Sequence, residues 1–514
     1  MTNSEREAAR LYHAVTKHSY TSVRGNPHRL DWDNRPSPYK IYPTAGSLAM
    51  PRELELPALA TTAAIARAVR TSGASAAAPI DLEALTRLLF CTGGLTRSRA
   101  VGGEEYHFRA AASAGALYPV EIYLAAGEVE GIAAGLYHFS PADLKLRGLR
   151  RGDWRGYLAR AAGNDALRQA RAVMVFSAIF WRGAWKYRAR AYRYCFWDAG
   201  MMIANLLAAA NAENIPAEII ALFADAPVER LLEVDGEREG VVCMAALGRA
   251  AYPPAPAGVD VSPPPTGLET VPPSASEVVY DDLVKIQRAS RLESPGEVAA
   301  LRAARITPAA AARAAEPITL APLDDDESAA LGATILRRGS TREFAHEAID
   351  AAELATILAT ARAPVPADFP TTVAPFVIVN AVDGLTPGVY RHDRATGALA
   401  RLRAGEFRGE AGYLCLEQPL GADCAALICY MARLDPVLEA LGNRGYRAAH
   451  LEAGLLGGRA YLAAYALGRG ATGLTFYDDD TTKFFSPDDP AWAPLLMVAI
   501  GVPKRRIVSD DAGR

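Results

Sequence analysis

The strongest constraint on this chain is an internal repeat with a period close to half its length. Residues 135–138 (GLYH) recur as residues 388–391 (GVYR), 253 residues later. Residues 192–200 (YRYCFWDAG) recur as residues 446–454 (YRAAHLEAG), at a shift of 254 residues. Repetition of this kind indicates a tandem duplication. Because a duplicated domain usually mimics a twofold homodimer, we expect an internal pseudo-dimer that can hold sites at its internal interface.

A proline-rich stretch separates the two copies. Eight prolines lie between Tyr252 and Ser274 among Gly, Ser and Thr, a composition typical of a linker. The sequence therefore predicts a first domain over 1–251, a linker over 252–277, an Ala-rich helical arm over 278–322 and a second domain over 323–507.

Each copy is predicted to be α+β. Short apolar runs rich in β-branched residues indicate strands; they are 120–125, 172–179, 241–247, 376–379, 425–430, 473–477 and 495–500. Residues 192–211 and 446–467 have helical spacing and are apolar on nearly every side, so we expect two buried helices that cover each other.

Composition excludes several function classes. Fifty-five Lys and Arg against 58 Asp and Glu leave a formal charge of −3, too little basic charge for a general nucleic-acid-binding protein. The six cysteines form no CxxC pair and the eight histidines no metal-binding spacing, so we expect reduced, buried thiols and no metal site. We find no targeting segment and no apolar run of the ~20 residues that a membrane span needs, and we expect a soluble cytoplasmic protein.

One motif matches a cofactor-binding fingerprint but lies in the wrong structural context. Residues 468–473 (GRGATG) match the dinucleotide fingerprint GxGxxG. That fingerprint requires a strand before it and a helix after it, whereas here a long helix precedes and a strand follows. We interpret these glycines as a helix cap and a turn.

Three segments carry candidate chemistry. In residues 338–342 (RGSTR), Arg338, Ser340 and Arg342 alternate, which in an extended chain suits a phosphate, although an exposed charged loop has the same pattern. Residues 109–119 (RAAASAGALYP) would let a flat ring approach the backbone, or form a tight turn. Lys186 and Tyr187 can move protons if burial shifts their pKa values; otherwise they are a surface pair.

Together these segments resemble the nitroreductase-like FMN oxidoreductases, and within them the azoline-dehydrogenase (SagB/ThcOx-type) branch. Residues 113–119 resemble the flavin-ring motif of that branch, and Lys186-Tyr187 its catalytic motif. Residues 338–342 resemble the phosphate-binding segment, and Gly501 with the basic tail behind it the closing strand. The resemblance implies FMN as the cofactor, Lys186 and Tyr187 as catalytic residues, and the following cofactor-binding residues: Arg109, Ser113, Ala114, Gly115, Ala116, Leu117, Arg338, Ser340, Arg342, Gly473, Leu474 and Arg505.

The two copies depart from the family pattern in complementary ways. Residues 34–40 (NRPSPYK), where we expect the first copy's phosphate segment, have a tyrosine in place of the second basic residue. Residues 361–366 (ARAPVP) of the second copy lack the ring motif, and Lys186-Tyr187 aligns with Ala440-Leu441. Since each FMN in the homodimeric relatives is held by both protomers, we expect one intact composite site and one degraded site. The sequence leaves open which of the two Lys186 and Tyr187 serve.

The resemblance implies dehydrogenation of an azoline-type ring in a small molecule or peptide. Hydride would pass to the flavin and a proton to Lys186 or Tyr187. One alternative is an NAD(P)H-dependent nitro- or quinone reductase, whose flavin NADPH would bleach rapidly. Another is a degenerate flavin-fold scaffold that binds a partner without catalysis.

Overall fold

The computed structural model describes residues 2–25, 27–69, 80–101, 104–249, 255, 262–306 and 317–504. Within these ranges each half builds one large antiparallel sheet with helices around it. The strands of the first half are β1 (Ser47–Ala49), β2 (Leu95–Val101), β3 (Glu104–Arg109), β4 (Val120–Ala126), β5 (Gly135–Ser140), β6 (Lys145–Arg151), β7 (Ala170–Ile179), β8 (Ala217–Ile220) and β9 (Glu239–Arg249). Its helices are α1 (Glu7–Val15), α2 (Tyr20–Gly25), α3 (Thr61–Ala66), α4 (Leu82–Gly93), α5 (Arg155–Ala162), α6 (Asp165–Gln169), α7 (Phe180–Tyr187), α8 (Ala191–Ala212) and α9 (Asp225–Leu232).

The second half repeats this layout. Its strands are β10 (Pro317–Ile318), β11 (Ile349–Asp350), β12 (Val373–Val379), β13 (Val382–Asp383), β14 (Gly388–His392), β15 (Leu399–Ala404), β16 (Ala426–Arg433), β17 (Gly470–Leu474) and β18 (Trp492–Gly501). Its helices are α10 (Asp281–Ala289), α11 (Pro295–Ala303), α12 (Leu331–Arg337), α13 (Ala351–Ala359), α14 (Arg408–Leu414), α15 (Pro419–Asp423), α16 (Leu434–Leu441), α17 (Arg444–Ala466) and α18 (Asp478–Phe485).

The two large sheets have the same strand order. Among the described residues the first sheet runs β1-β6-β5-β4-β7-β9-β8 and the second β10-β15-β14-β12-β16-β18-β17. Each strand of one sheet thus has a counterpart at the same position in the other. The predicted tandem duplication is confirmed.

Helices α8 and α17 form the contact between the halves. All of Arg444–Ala466 is buried in α17, as are the first twenty residues of α8. A Cβ built on Gly200 would lie 2.4 Å from the carbonyl oxygen of Leu451, and one on Gly454 would lie 2.4 Å from that of Trp197. Only glycine at these repeat-related positions lets the helix backbones pack so closely, and the predicted mutual cover of the two apolar helices is confirmed.

Buried ion pairs repeat the same symmetry. Arg193 of α8, and Arg190 directly before this helix, each place Nη1 2.8 Å from a carboxylate oxygen of Asp478 in the second half. Arg444 of α17 places Nη1 2.9 Å from Asp225 in the first half. The halves therefore exchange equivalent charged contacts, as the protomers of a twofold dimer do.

One part of the sequence-based layout needs correction. The strand predicted over 473–477 runs over Gly470–Leu474 instead, because residues 470–474 pair with β18 along the sheet edge. Residues 262–277, in the predicted linker, have no helix or strand. They contact the first half, since the amide of Val271 donates to the carbonyl of Ile41 at 3.0 Å. The rest of the predicted linker, except residue 255, and residues 307–316 of the arm lie outside the described residues.

All six cysteines lie in the described part of the chain, are buried and form no disulfide. Across the described ranges we find no cluster of three His, Cys, Asp or Glu side chains that could hold a metal ion. Nor does any helix in those ranges have the length and apolar character needed to cross a membrane.

Candidate functional site

Residues 110–119, which we call the ring loop, connect β3 to β4. The loop contains left-handed backbone at Gly115 (φ 65°), Ala116 (φ 53°) and Tyr118 (φ 48°). Residues other than glycine enter this region only at an energetic cost, which the surrounding structure must offset. Such strain in a loop of small residues is typical of a ligand-binding segment.

Asp198 of α8 fixes the ring loop. Its carboxylate accepts hydrogen bonds from the hydroxyl of Ser113 at 2.5 Å and from the amide of Ala114 at 3.0 Å. The amide of Tyr118 donates in turn to the Ser113 hydroxyl at 2.9 Å. Burial raises the pKa of Asp198 to about 7. Sequence reasoning placed Asp198 in the central helix without assigning it to the site.

Arg109 lies beneath the loop. Its side chain is 4% exposed, and its Nη2 donates to the carbonyl of Pro38 at 2.5 Å. The guanidinium carbon lies 5.1 Å from the ring centre of Tyr118. The role of Arg109 as a direct cofactor contact stays a prediction; in the structure its guanidinium contacts the loop residue Tyr118 and the carbonyl of Pro38.

Lys186 and Tyr187 end helix α7 directly against the ring loop. A Cβ built on Gly115 would lie 2.7 Å from the Tyr187 hydroxyl and 3.3 Å from the Lys186 ammonium nitrogen. Burial, with repulsion from Arg342 and Arg35, lowers the pKa of Lys186. Burial and the charge of neighbouring groups raise the pKa of Tyr187.

The phosphate segment of the second half reaches this same place. Arg338 is buried, and its Nη2 and Nε donate to the carbonyls of Arg109 and Ala110 at 2.6 and 2.9 Å. Ser340 is half-buried and Arg342 is exposed. The structure thus brings the ring loop of one half and the phosphate segment of the other together, with Lys186 and Tyr187 beside them.

The end of β17 borders the phosphate segment. Gly473 is exposed, and its amide donates to the hydroxyl of Tyr461, which also forms a hydrogen bond with Ser340. Leu474 is buried. Tyr461 was not identified from the sequence, because only the fold brings it to Ser340. The predicted contact Arg505 lies outside the described residues.

The symmetry-related location is filled by the protein itself. Ile219 stands where Gly473 stands in the second half, but it is fully buried, and its amide donates to the carbonyl of Pro366 at 2.7 Å. Asp368 accepts from the amides of Ala221 at 2.8 Å and Leu222 at 3.2 Å. In the second half, the backbone amides that correspond to those of Ala221 and Leu222 come after Gly473. Asp368 therefore lies, in the first half, at the place that adjoins these amides in the second half.

The predicted phosphate segment of the first half was misplaced. The fold pairs helix α12, which leads into Arg338, with helix α3, through a bridge between Ala60 and Ala330. Arg67 follows α3 as Arg338 follows α12, with nearly the same backbone angles. Arg35 of the misassigned segment instead lies near Lys186, since its charge lowers the pKa of that lysine. The Arg-x-Ser pattern at residues 35–37 is therefore not the first half's counterpart of the phosphate segment.

Comparison with known proteins agrees with this architecture. The model of the nitroreductase family matches residues 75–249 and 335–502, which together exceed half of the chain. The chain belongs to the nitroreductase family. Its two matched regions correspond to the two large sheets, so this is a tandem nitroreductase fold.

Individual relatives support the same conclusion. The crystal structure of a "putative nitroreductase" from Anabaena variabilis aligns with 97% of this chain and 99% of its own, with 25% identity and a TM-score of 0.75. A protein of Methanocaldococcus jannaschii with the same description is 27% identical over 191 residues, 35% of this chain and 94% of its own.

A third similar protein is the microcin B17-processing protein McbC of Escherichia coli. It is 27% identical over 129 residues, which make up 24% of this chain and 47% of McbC. The match thus spans about half of that protein.

Proposed function

We propose that this nitroreductase-family protein is an FMN-dependent dehydrogenase of azoline-type rings carried by a small molecule or a peptide. The observation that carries the proposal is the position of Lys186 and Tyr187 against Gly115 of the ring loop. A proton acceptor beside the loop expected to hold the flavin ring is what such a dehydrogenation requires. The similarity to McbC supports a substrate of the peptide type.

The residues of the composite site fit FMN. Arg342 and the Ser340 hydroxyl offer hydrogen bonds to a phosphate, while Arg338 holds the segment in place by donating to the backbone carbonyls of Ala110, Gly339 and Arg109. The ring loop offers small residues and left-handed backbone, and at Gly115 any side chain would collide with Tyr187. Gly473 adds exposed backbone at the end of β17. When bound, FMN supplies the acceptor for the two electrons that leave the substrate as hydride.

Lys186 and Tyr187 differ in what they can do with a proton. The lowered pKa of Lys186 increases the fraction of neutral amine, which can take a proton from a ring carbon of the substrate. The raised pKa of Tyr187 keeps its hydroxyl protonated, so that it can donate a hydrogen bond but not act as the base. We therefore assign the base to Lys186 and a positioning role to Tyr187.

We further propose one FMN per chain. The composite site combines the ring loop of the first half with the phosphate segment of the second. The symmetry-related location has neither the ring motif nor free amides, since Asp368 and Pro366 accept from them. A second flavin would have to displace these contacts.

An NAD(P)H-dependent reductase is the second candidate function. It is favoured by the description of the M. jannaschii relative, which the chain matches along 94% of that protein. Lys186 separates the candidates, because hydride transfer from NAD(P)H requires no base to remove a proton from carbon.

Anaerobic bleaching of the flavin tests the proposal. An azoline-containing peptide should reduce the wild-type flavin, whereas Lys186→Ala should bind FMN and stay oxidised with the same peptide. Rapid bleaching by NADPH that is unaffected by Lys186→Ala, with none by the azoline, would establish the reductase instead. A protein that binds no FMN at all would support the scaffold alternative.

A further inference from the structure

The β2–β3 hairpin of the first half brings an additional arginine to the phosphate segment of the second half. Strand β3 continues directly into the ring loop, and β2 pairs with it in antiparallel register. A Cβ built on Gly339 would lie 3.0 Å from Nη2 of Arg97 and 3.7 Å from its Nη1. The Arg97 guanidinium therefore lies next to Gly339, the residue between Arg338 and Ser340.

Arg97 lies close enough to Arg338 for their charges to interact. The charge of Arg97 helps to lower the pKa of Arg338, although burial of Arg338 is the larger cause. The guanidinium carbon of Arg97 lies 4.8 Å from the ring centre of Phe108, which holds the side chain over the hairpin. Arg338 donates to the backbone carbonyls of Ala110, Gly339 and Arg109.

We infer that Arg97 binds the phosphate of FMN, together with Ser340 and Arg342. This inference rests on the proposed function, because it assigns a further residue to the same cofactor. The planar guanidinium matches phosphate oxygens in two parallel hydrogen bonds, and its position over Phe108 orients it before the ligand arrives. The hairpin would then contribute to FMN binding from the half that also carries the ring loop.

Gly339 has a specific place in this arrangement. A methyl group at this position would approach Arg97 to 3.0 Å, so the guanidinium would have to move away from the phosphate segment. Gly339 thus permits the close approach of Arg97. Substitution Gly339→Ala should therefore also weaken FMN binding, but by a smaller factor than Arg97→Gln does.

Comparison of FMN with riboflavin isolates the phosphate contact. Apoprotein is titrated with each flavin and binding is followed by quenching of flavin fluorescence. We expect Arg97→Gln to weaken FMN binding at least about tenfold, since it removes charge-assisted hydrogen bonds to the phosphate, and to leave riboflavin binding unchanged. Arg99→Gln, an exposed arginine two residues further along the same strand, is the matched control and should leave both affinities unchanged.

The other outcomes overturn the inference in distinguishable ways. Unchanged FMN affinity in Arg97→Gln would show that Arg97 does not contact the phosphate. Equal weakening of FMN and riboflavin would show that Arg97 only supports the loop, and equal weakening by Arg99→Gln would show a general charge effect. Failure of the wild-type protein to bind FMN would overturn the proposed function and this inference together.

Discussion

The guanidinium of Arg338, in the second half, donates a hydrogen bond of 2.6 Å to the carbonyl oxygen of Arg109 in the first half. This contact joins the phosphate segment to the start of the ring loop. The two parts of the proposed flavin site are therefore positioned by each other as well as by their own halves. A single half could not build this site.

The two arginines of the phosphate segment should respond differently to substitution. Arg338→Gln removes hydrogen bonds to buried carbonyls and should lower the free energy of unfolding by about 2–3 kcal/mol. Arg342→Gln removes an exposed charge and should change that free energy by less than about 0.5 kcal/mol, while it weakens FMN binding. Urea unfolding of both variants checks this, and equal destabilisation would contradict the contrast between a supporting and a binding arginine.

Gly115 should be intolerant of a side chain for two reasons. Gly115→Ala places a Cβ on left-handed backbone and 2.7 Å from the Tyr187 hydroxyl. Gly267→Ala is the matched control, since Gly267 has a similar φ of 69° and no atom within 4 Å of the added Cβ. We expect a backbone cost of about 1–2 kcal/mol in both variants but loss of flavin binding in Gly115→Ala alone. Flavin titration of the two purified variants distinguishes them.

Much of this architecture could be predicted from the sequence, because local repetition and apolar runs encode it. The repeat of residues 192–200 at 446–454 predicted both the duplication and the central helices. The strand at 470–474 was missed because glycine-rich edges resemble turns, and its pairing with β18 is a contact distant in sequence.

The residues that the sequence did not reveal, at the composite site and at the symmetry-related location, are those that act through distant contacts. Asp368 meets Ala221 and Leu222 from the other half, and no local pattern marks it. Arg97 lies in a hairpin outside every recognised motif, and only the packing of Gly339 against it indicates a role. Arg35 was misassigned, because a three-residue pattern is too short to fix a position in the fold.

The rate of the reaction in which Lys186 acts as the base should depend on pH in a defined direction. A base must be neutral, so the rate should rise with pH and reach half its maximum below 10.5, the ordinary pKa of lysine. Because repulsion from Arg35 contributes to the lowered pKa, Arg35→Gln should move this rise to higher pH. A pH profile of anaerobic flavin reduction measures both. A shift to lower pH, or the same shift in the distant variant Arg52→Gln, would contradict the assignment.

Asp198 should make stability fall as pH rises. Its pKa is raised by burial from 3.8 to about 7, so the folded state binds the proton more tightly than the unfolded state. Its contribution is therefore complete below pH ~4 and is lost as pH rises through ~7, with a slope of at most about 1.4 kcal/mol per pH unit. The neighbouring Tyr187 and Cys195 stay neutral over this range, because their pKa values are raised.

Substitution Asp198→Asn isolates this effect. The stability of the wild-type protein relative to Asp198→Asn should decrease between pH 4 and 7 and stay constant above that range. Urea unfolding at several pH values measures the difference, and all other titrating groups cancel in it. An increase with pH would show that the carboxylate is stabilised in its charged form.

The number of flavins per chain tests the central claim most directly. The protein is purified, its visible spectrum recorded and the flavin released by denaturation, identified and counted against the chain concentration. The composite site predicts one FMN per chain, and the same count in Asp368→Ala, since the symmetry-related location also lacks the ring motif. Two FMN per chain would contradict the single composite site, and none after incubation with excess FMN would contradict the flavin site altogether.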